Sequence, residues 1–198
     1  MKILFVIYDN GSYIHSFPLG VAYISAVLLE EGYHVEIYNQ DANHYSDEHL
    51  TRYLNKNRFD IVGVGIIGGY YQYRKLLKLS AAINKSSKRP LYILGHGPSP
   101  EPEYFLKKTQ ADVVVMGEGE ITTLELLKAI KNGKTYKKIK GIAYRDGDTI
   151  SINGRRKLIA DIDSMPFPAY HLFPIHYYRL LRLPNSSSRD FTMTIISG

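Results

Sequence analysis

The residues of this chain that could meet a ligand fall into four short stretches, each at the end of an apolar run. They are Asp9-Asn10-Gly11-Ser12 with His15 close behind, Gly65-Ile66-Ile67-Gly68 followed by Tyr70, Gly95-His96-Gly97-Pro98, and Gly117-Glu118-Gly119-Glu120. Glycines let the backbone approach a bulky or flat ligand closely, and amides at a helix start can face its polar groups. Asp9, Asn10 and Ser12 can bind amide groups or cap the helix that follows. Glu118 and Glu120 stand where acidic groups favour a helix N-terminus. For His15 a loop position, and for residues 95–98 a tight strand-to-helix turn, are the plain structural alternatives to a binding role.

Composition narrows the chemistry. The 198 residues include no cysteine, which removes disulfides, thiolate zinc sites, thiol catalysis and any iron–sulfur cluster held within this chain. With 44% hydrophobic and 12% aromatic residues the chain can bury a core, and its length suits one domain plus a smaller appendage. The net charge of +6 is spread along the sequence. Its small clusters, Lys137-Lys138 with Lys140 and Arg155-Arg156-Lys157, read as solvated faces rather than a nucleic-acid site. The first residues are too short for a secretory signal, and no run approaches the roughly 18 apolar residues of a membrane helix. The expectation is a cytoplasmic protein with no membrane contact.

The elements that must position the four stretches follow from periodicity. Apolar runs at 3–7, 35–38, 60–67, 91–94 and 113–116 predict strands, and helical spacing predicts helices at 18–31, around 49–54, and at 70–85, 101–108 and 122–130. The run at 60–67 (Asp-Ile-Val-Gly-Val-Gly-Ile-Ile) is apolar throughout, as a strand covered on both faces would be. Five strand-then-helix repeats predict an α/β, Rossmann-like fold, with a five-stranded parallel sheet in the flavodoxin-like order 2-1-3-4-5. Its ligand crevice lies beyond the carboxyl ends of the strands, where the four stretches are. Strands at 142–145 and 149–152 flank Asp146-Gly147-Asp148 and predict a C-terminal β-hairpin. Residues 161–184, rich in proline and aromatics, read as an ordered linker packed along something. Ser186-Ser187-Ser188 marks a break before a last strand at 191–196.

Several tenants of such a crevice are excluded. Gly11 stands alone after the first strand, so no Gly-x-Gly-x-x-Gly dinucleotide loop is present, and no Gly-x-x-x-x-Gly-Lys-Ser/Thr occurs. Ile67 and Gly117 stand near the places where a phospho-receiver domain has its aspartate and lysine.

A resemblance becomes specific when motifs are taken in order. Phe17-Pro18-Leu19-Gly20-Val21-Ala22-Tyr23, Glu31-Gly32-Tyr33-His34-Val35, Asp60-Ile61-Val62-Gly63-Val64, Leu94-Gly95-His96-Gly97-Pro98 and Gly117-Glu118-Gly119-Glu120 together resemble the N-terminal domain of cobalamin-dependent radical S-adenosylmethionine enzymes. Gly141-Ile142-Ala143-Tyr144 and Asp161-Ile162-Asp163-Ser164-Met165-Pro166-Phe167-Pro168 resemble the bridge from that domain to the radical barrel. In the family a strand similar to 194–198 precedes Cys-x-x-x-Cys-x-x-Cys, which holds a [4Fe–4S] cluster beside S-adenosylmethionine.

The resemblance implies a cobalamin-binding domain over 1–135, a hairpin extension over 136–160, a linker over 161–190 and the first strand of a truncated barrel over 191–198. It implies cobalamin and the barrel of the same chain as partners. It also implies methyl transfer, or rearrangement or oxidation at an unreactive carbon, in a parent protein whose fragment is inactive alone. The alternative is a structural module that has kept the fold without cobalamin.

The wider fold carries Asp-x-His-x-x-Gly, then Ser-x-Leu, then Gly-Gly. With its last loop glycine on Gly20, His15 takes the aspartate position and Phe17 the cobalt-ligating histidine position. Gly65-Ile66-Ile67 then takes Ser-x-Leu, and Gly95-His96 takes Gly-Gly. The lower cobalt position would be vacant, water-filled, or taken by His15 or His96. Gly68 would border the ring, Tyr70 or Tyr71 would roof it unless the tyrosines only pack the helix, and Gly117 with Gly119 would admit the nucleotide tail. The aromatics near Tyr170, His176, Tyr177 and Tyr178 are expected to dock on the barrel.

Overall fold

A computed structural model describes residues 1–11 and 17–180. Ser12, His15, the serine break at 186–188 and the strand expected at 191–196 lie outside the described residues.

Seven strands form one sheet. They are β1 (Lys2–Ile7), β2 (His34–Asn39), β3 (Ile61–Ile66), β4 (Leu91–His96), β5 (Val113–Val115), β6 (Ile142–Asp146) and β7 (Thr149–Ile152), in the order β2-β1-β3-β4-β5-β6-β7. The first five are parallel in the order the repeats predict, and β6 and β7 continue the same sheet antiparallel. The hairpin is thus an edge of the main sheet rather than an appendage beside it.

Helices α1 (Leu19–Glu30), α2 (Gln40–Asn43), α3 (Asp47–Lys56), α4 (Tyr70–Asn84), α5 (Pro102–Thr109) and α6 (Glu120–Lys131) make the crossovers. The four-residue α2 has no periodic signature long enough to predict. It forms because the Asn39 side chain accepts the Ala42 amide, closing the turn. The same logic starts α3, where Ser46 accepts from the His49 amide ahead of Asp47 and Glu48.

Each sheet face has its own core. Leu4, Val62, Val64, Tyr92 and Leu94 pack under Leu50, Leu54, Leu76, Leu79 and Leu106 from α3, α4 and α5. Tyr92 is fully buried, and its hydroxyl reaches Ser80 Oγ at 2.8 Å, which removes the cost of an unpaired polar atom. Ile3, Phe5, Ile61, Ile93, Val113 and Val115 meet Leu28 of α1 and Leu126 and Leu127 of α6 on the other face. In that layer Phe5 lies opposite Gly63 in the register, and its ring occupies the space a side chain at 63 would need. Among the described residues no helix is long and apolar enough to cross a membrane.

After β7 the chain returns across the carboxyl ends of the strands. A 3-10 turn (Tyr170–Leu172) and α7 (Ile175–Leu180) form a strap over the first strand and helix. Its Ala169 amide donates to the Ala22 carbonyl at 3.0 Å. Tyr170, Phe173 and Tyr178 surround Phe17 with ring centroids 5.0–5.2 Å away, and Ile7, Leu19 and Ala22 complete the cluster. The expectation that these aromatics dock on a separate barrel is corrected here: Tyr170, Tyr177 and Tyr178 pack on this domain, while His176 is exposed. Aromatic side chains of this size bury where a matching apolar surface is already in reach, and the start of α1 provides it.

A Cβ at position 63 would stand 2.6 Å from Cδ1 and Cε1 of Phe5, whereas one at Gly20 would meet nothing within 4 Å. Gly63→Ala should therefore cost about 1–3 kcal/mol in chemical denaturation, while the helical Gly20→Ala should gain about 0.5–1 kcal/mol. Equal effects of the two would contradict this packing.

Candidate functional site

Four loops meet above the carboxyl ends of β1, β3, β4 and β5. In the first, Asp9 Oδ1 accepts the Gly11 amide at 2.7 Å, and Oδ2 lies 3.1 Å from His44 Nδ1. The Asn10 amide donates to Asp41 Oδ1 at 2.9 Å. Tyr8 is buried beneath this loop, and burial raises its phenol above the ordinary range.

The ends of β3 and β4 are register partners, Gly65 beside Gly95 and Ile66 beside His96. Gly95 has the same strand parity as Ile93, and an added Cβ at Gly65 would approach only Val21 of α1, at 3.8 Å. Both glycines therefore belong to the face that carries α1 and α6. A Cβ at Gly95, Gly68 or Gly117 would meet nothing within 4 Å. The crevice is open at the points where side chains are missing.

Gly97 differs. Its amide donates to the Ile66 carbonyl at 2.9 Å, and a Cβ there would stand 2.9 Å from that oxygen, so this glycine carries the β3–β4 pairing one step past the end of β4. His96 beside it is exposed and has φ +64°, a left-handed conformation that an L-residue adopts at a cost. Pro98 follows, and the Ser99 amide bonds back to the His96 carbonyl at 2.8 Å.

The β5 loop is tied on both sides. The Gly117 amide donates to Ser99 Oγ at 3.2 Å, and Glu118 Oε2 accepts the Ile159 amide at 2.7 Å. Gly119 lets α6 start against α1, since a Cβ there would lie 2.7 Å from Ile24 Cδ1. Burial raises the Glu120 carboxyl above its ordinary value, with the Glu118 charge adding to it. Of this stretch, Gly117 faces open space, while Glu118, Gly119 and Glu120 have structural work in the α6 junction.

On the α4–α5 side, Ile66, Gly68, Gly97, Tyr73, Tyr104 and Phe105 help line a recess of about 350 Å³. The Tyr73 and Tyr104 hydroxyls meet across it at 2.7 Å. Tyr70 is 76% exposed and Ile67 45% exposed at the crevice rim, an apolar edge ready to be covered. Ile66 itself is buried. Phe17, which motif spacing puts at the histidine position, has its ring enclosed by the strap aromatics Tyr170, Phe173 and Tyr178. Sequence reasoning missed Asp41, His44 and Ser99, which fix the loops. Asp41 and His44 belong to the short α2 turn and its end, for which the Asn39 cap was the one available signal.

No group of three or more His, Asp or Glu side chains suited to a metal occurs among the described residues. A corrin with its nucleotide tail fits this donor set better, because it needs a wide open cleft, backbone amides and an apolar edge. The family model of the B12 binding domain matches residues 12–127. This chain belongs to the B12-binding domain family.

The B12-binding domain is 29% identical over 194 residues to an uncharacterized methyltransferase of Pyrococcus horikoshii, covering 93% of this chain and 41% of that protein. It is 26% identical over 203 residues to cytidylyl-2-hydroxyethylphosphonate methyltransferase of Streptomyces wedmorensis, covering 82% and 38%. It is 30% identical over 156 residues to an anaerobic magnesium-protoporphyrin IX monomethyl ester cyclase of Cereibacter sphaeroides, covering 75% and 25%. The chain thus spans less than half the length of these curated relatives. Among solved structures it is similar in fold to the cobalamin-dependent S-adenosylmethionine radical enzyme OxsB with aqua-cobalamin and S-adenosylmethionine bound, with TM-score 0.71 and 19% identity over 91% of this chain and 25% of that one. It is likewise similar to the radical S-adenosylmethionine methyltransferase TsrM of Kitasatospora setae with cobalamin and a [4Fe–4S] cluster bound, with TM-score 0.65 and 18% identity over 84% and 31%.

The left-handed backbone at position 96 yields a stability test. His96→Gly should raise the unfolding free energy by up to about 1 kcal/mol, because the strain of an L-residue there exceeds the entropy lost by glycine. A clear loss of stability in denaturant titration would refute the strain.

Proposed function

We propose that this B12-binding domain holds cobalamin across its glycine-rich crevice, with the nucleotide tail lying between the sheet and α1. The observation that carries the reading is the pair Gly65 and Gly95. These register partners lack side chains on the face of α1 and leave a slot at the strand ends. The backbone of Asp9, Asn10 and Gly68 would meet polar groups of the ring, Ile67 and Tyr70 would cover its apolar edge, and Gly20 and Gly117 would leave it room. His15 and Ser12, outside the described residues, complete the expected loop.

When bound, cobalamin supplies a cobalt centre suited to carrying a methyl group or exchanging electrons. The protein's part is to bind, orient and exclude water. Phe17, packed under the strap, has no donor atom to offer such a centre, so a protein ligand to it, if one is used, would come from another residue such as His15 or His96.

The relatives named as methyltransferases support a parent protein that transfers a methyl group or rearranges or oxidises an unreactive carbon with S-adenosylmethionine. The cluster for that chemistry would require cysteines that these 198 residues lack, so the chain alone should be inactive.

Titration of the chain with hydroxocobalamin, followed in the ultraviolet–visible spectrum and by co-elution on gel filtration, tests the reading. The wild type should retain about one equivalent. Gly95→Val should weaken binding at least tenfold while its unfolding midpoint stays near wild type, since an added Cβ there meets nothing within 4 Å. No spectral change and no co-elution with the wild type would sink the proposal and favour the module without cobalamin.

A further inference from the structure

The loop of Asp9, Asn10 and Gly11 is held by residues outside it. Asp41, 2% exposed, accepts the Asn10 amide on Oδ1 at 2.9 Å. The Tyr177 hydroxyl of the strap donates to the Asp41 carbonyl oxygen at 3.2 Å and approaches its Oδ2 at 3.4 Å. The α2 turn that carries Asp41 is itself fixed from both sides. Asn39 Oδ1 accepts the Ala42 amide, and Asn39 Nδ2 donates to the Tyr178 hydroxyl at 2.9 Å. One buried residue therefore grips the ligand loop with one carboxylate oxygen and faces the strap with the other. A buried carboxylate is costly to leave half-satisfied, so it resists following either partner alone.

We propose that Asp41 and Tyr177 are positioning residues for the crevice, holding the 9–11 loop in its binding geometry through the strap, so that ligand binding and docking of residues 168–180 form one linked equilibrium. The inference rests on the cobalamin reading, although neither side chain needs to touch the ligand. Burial, and then the Asp41 charge, hold the Tyr177 phenol above its ordinary value, so the hydroxyl stays a donor well into the alkaline range. Linkage is reciprocal: if the docked strap favours the ligand, the ligand favours the docked strap by the same factor.

The experiment uses the whole 198-residue chain and two readouts, hydroxocobalamin affinity by spectral titration and amide hydrogen exchange with and without hydroxocobalamin. Y177F should bind about tenfold more weakly, equivalent to about 1.4 kcal/mol, with an unchanged circular dichroism spectrum. Its Asn10 amide and the amides of 168–180 should exchange faster than in the wild type. D41N keeps an acceptor for the Asn10 amide and should fall between wild type and D41A. D41A removes a buried charge and can fail to fold, but Y177F deletes only a hydroxyl and reads the link regardless.

Hydroxocobalamin should slow exchange across 168–180 in the wild type. Wild-type affinity in folded Y177F, together with strap exchange indifferent to hydroxocobalamin, would overturn the proposal. If the wild type binds no hydroxocobalamin, the cobalamin reading fails on its own. Asn10 exchange in Y177F then still decides the link: faster exchange supports it, and unchanged exchange overturns it.

Discussion

A parallel sheet covered by helices on both faces leaves a ligand one place to go. Most of the buried apolar side chains from β1 to β5 pack under α1 and α6 or under α3, α4 and α5, as Ile93 and Leu94 do on opposite faces. The rim where the strands run out is what remains, and there the two neighbouring strands β3 and β4 carry glycine at the same register level. Hydrophobic burial thus fixes the place of binding before any ligand chemistry enters. The packing has a cost as well, since Phe5 fits its layer only because Gly63 presents no side chain.

The rim is held from several directions. Ser99 ties the β4 loop to the β5 loop, Glu118 ties the β5 loop to the returning chain at Ile159, and Asp41 ties the β1 loop to the strap. These are individual hydrogen bonds, one or a few to each tie, each modest in net free energy and strict in direction. Their value is preorganisation: a loop already in place gives up less conformational entropy when a ligand arrives.

How much was legible in the sequence depended on how local the cause was. The strand order follows from five repeats of an apolar run and a helical pattern, signals that span a few residues each. Gly65 and Gly95 stood out in the sequence as crevice candidates because each interrupts an apolar strand close to its end. Gly119 looked alike in sequence but serves the contact with Ile24, which only the approach of α1 and α6 reveals. Phe17 was placed at the ligand by motif spacing, yet its environment is set by Tyr170, Phe173 and Tyr178, more than 150 positions away. Asp41 and Tyr177, separated by 136 positions, leave no periodic trace.

The strap has a topological consequence. A chain that ended its fold at β7 would leave from the far edge of the sheet. Here it crosses back, and Tyr178 anchors on Asn39 at the end of β2, on the rim where the ligand loops lie. The last described helix therefore closes on the mouth of the crevice, beside the loop at Asp9–Gly11, and not at the β7 edge. The return path acts as a clasp: it fastens the two ends of the fold together at the rim, where an edge strand alone would have left them apart.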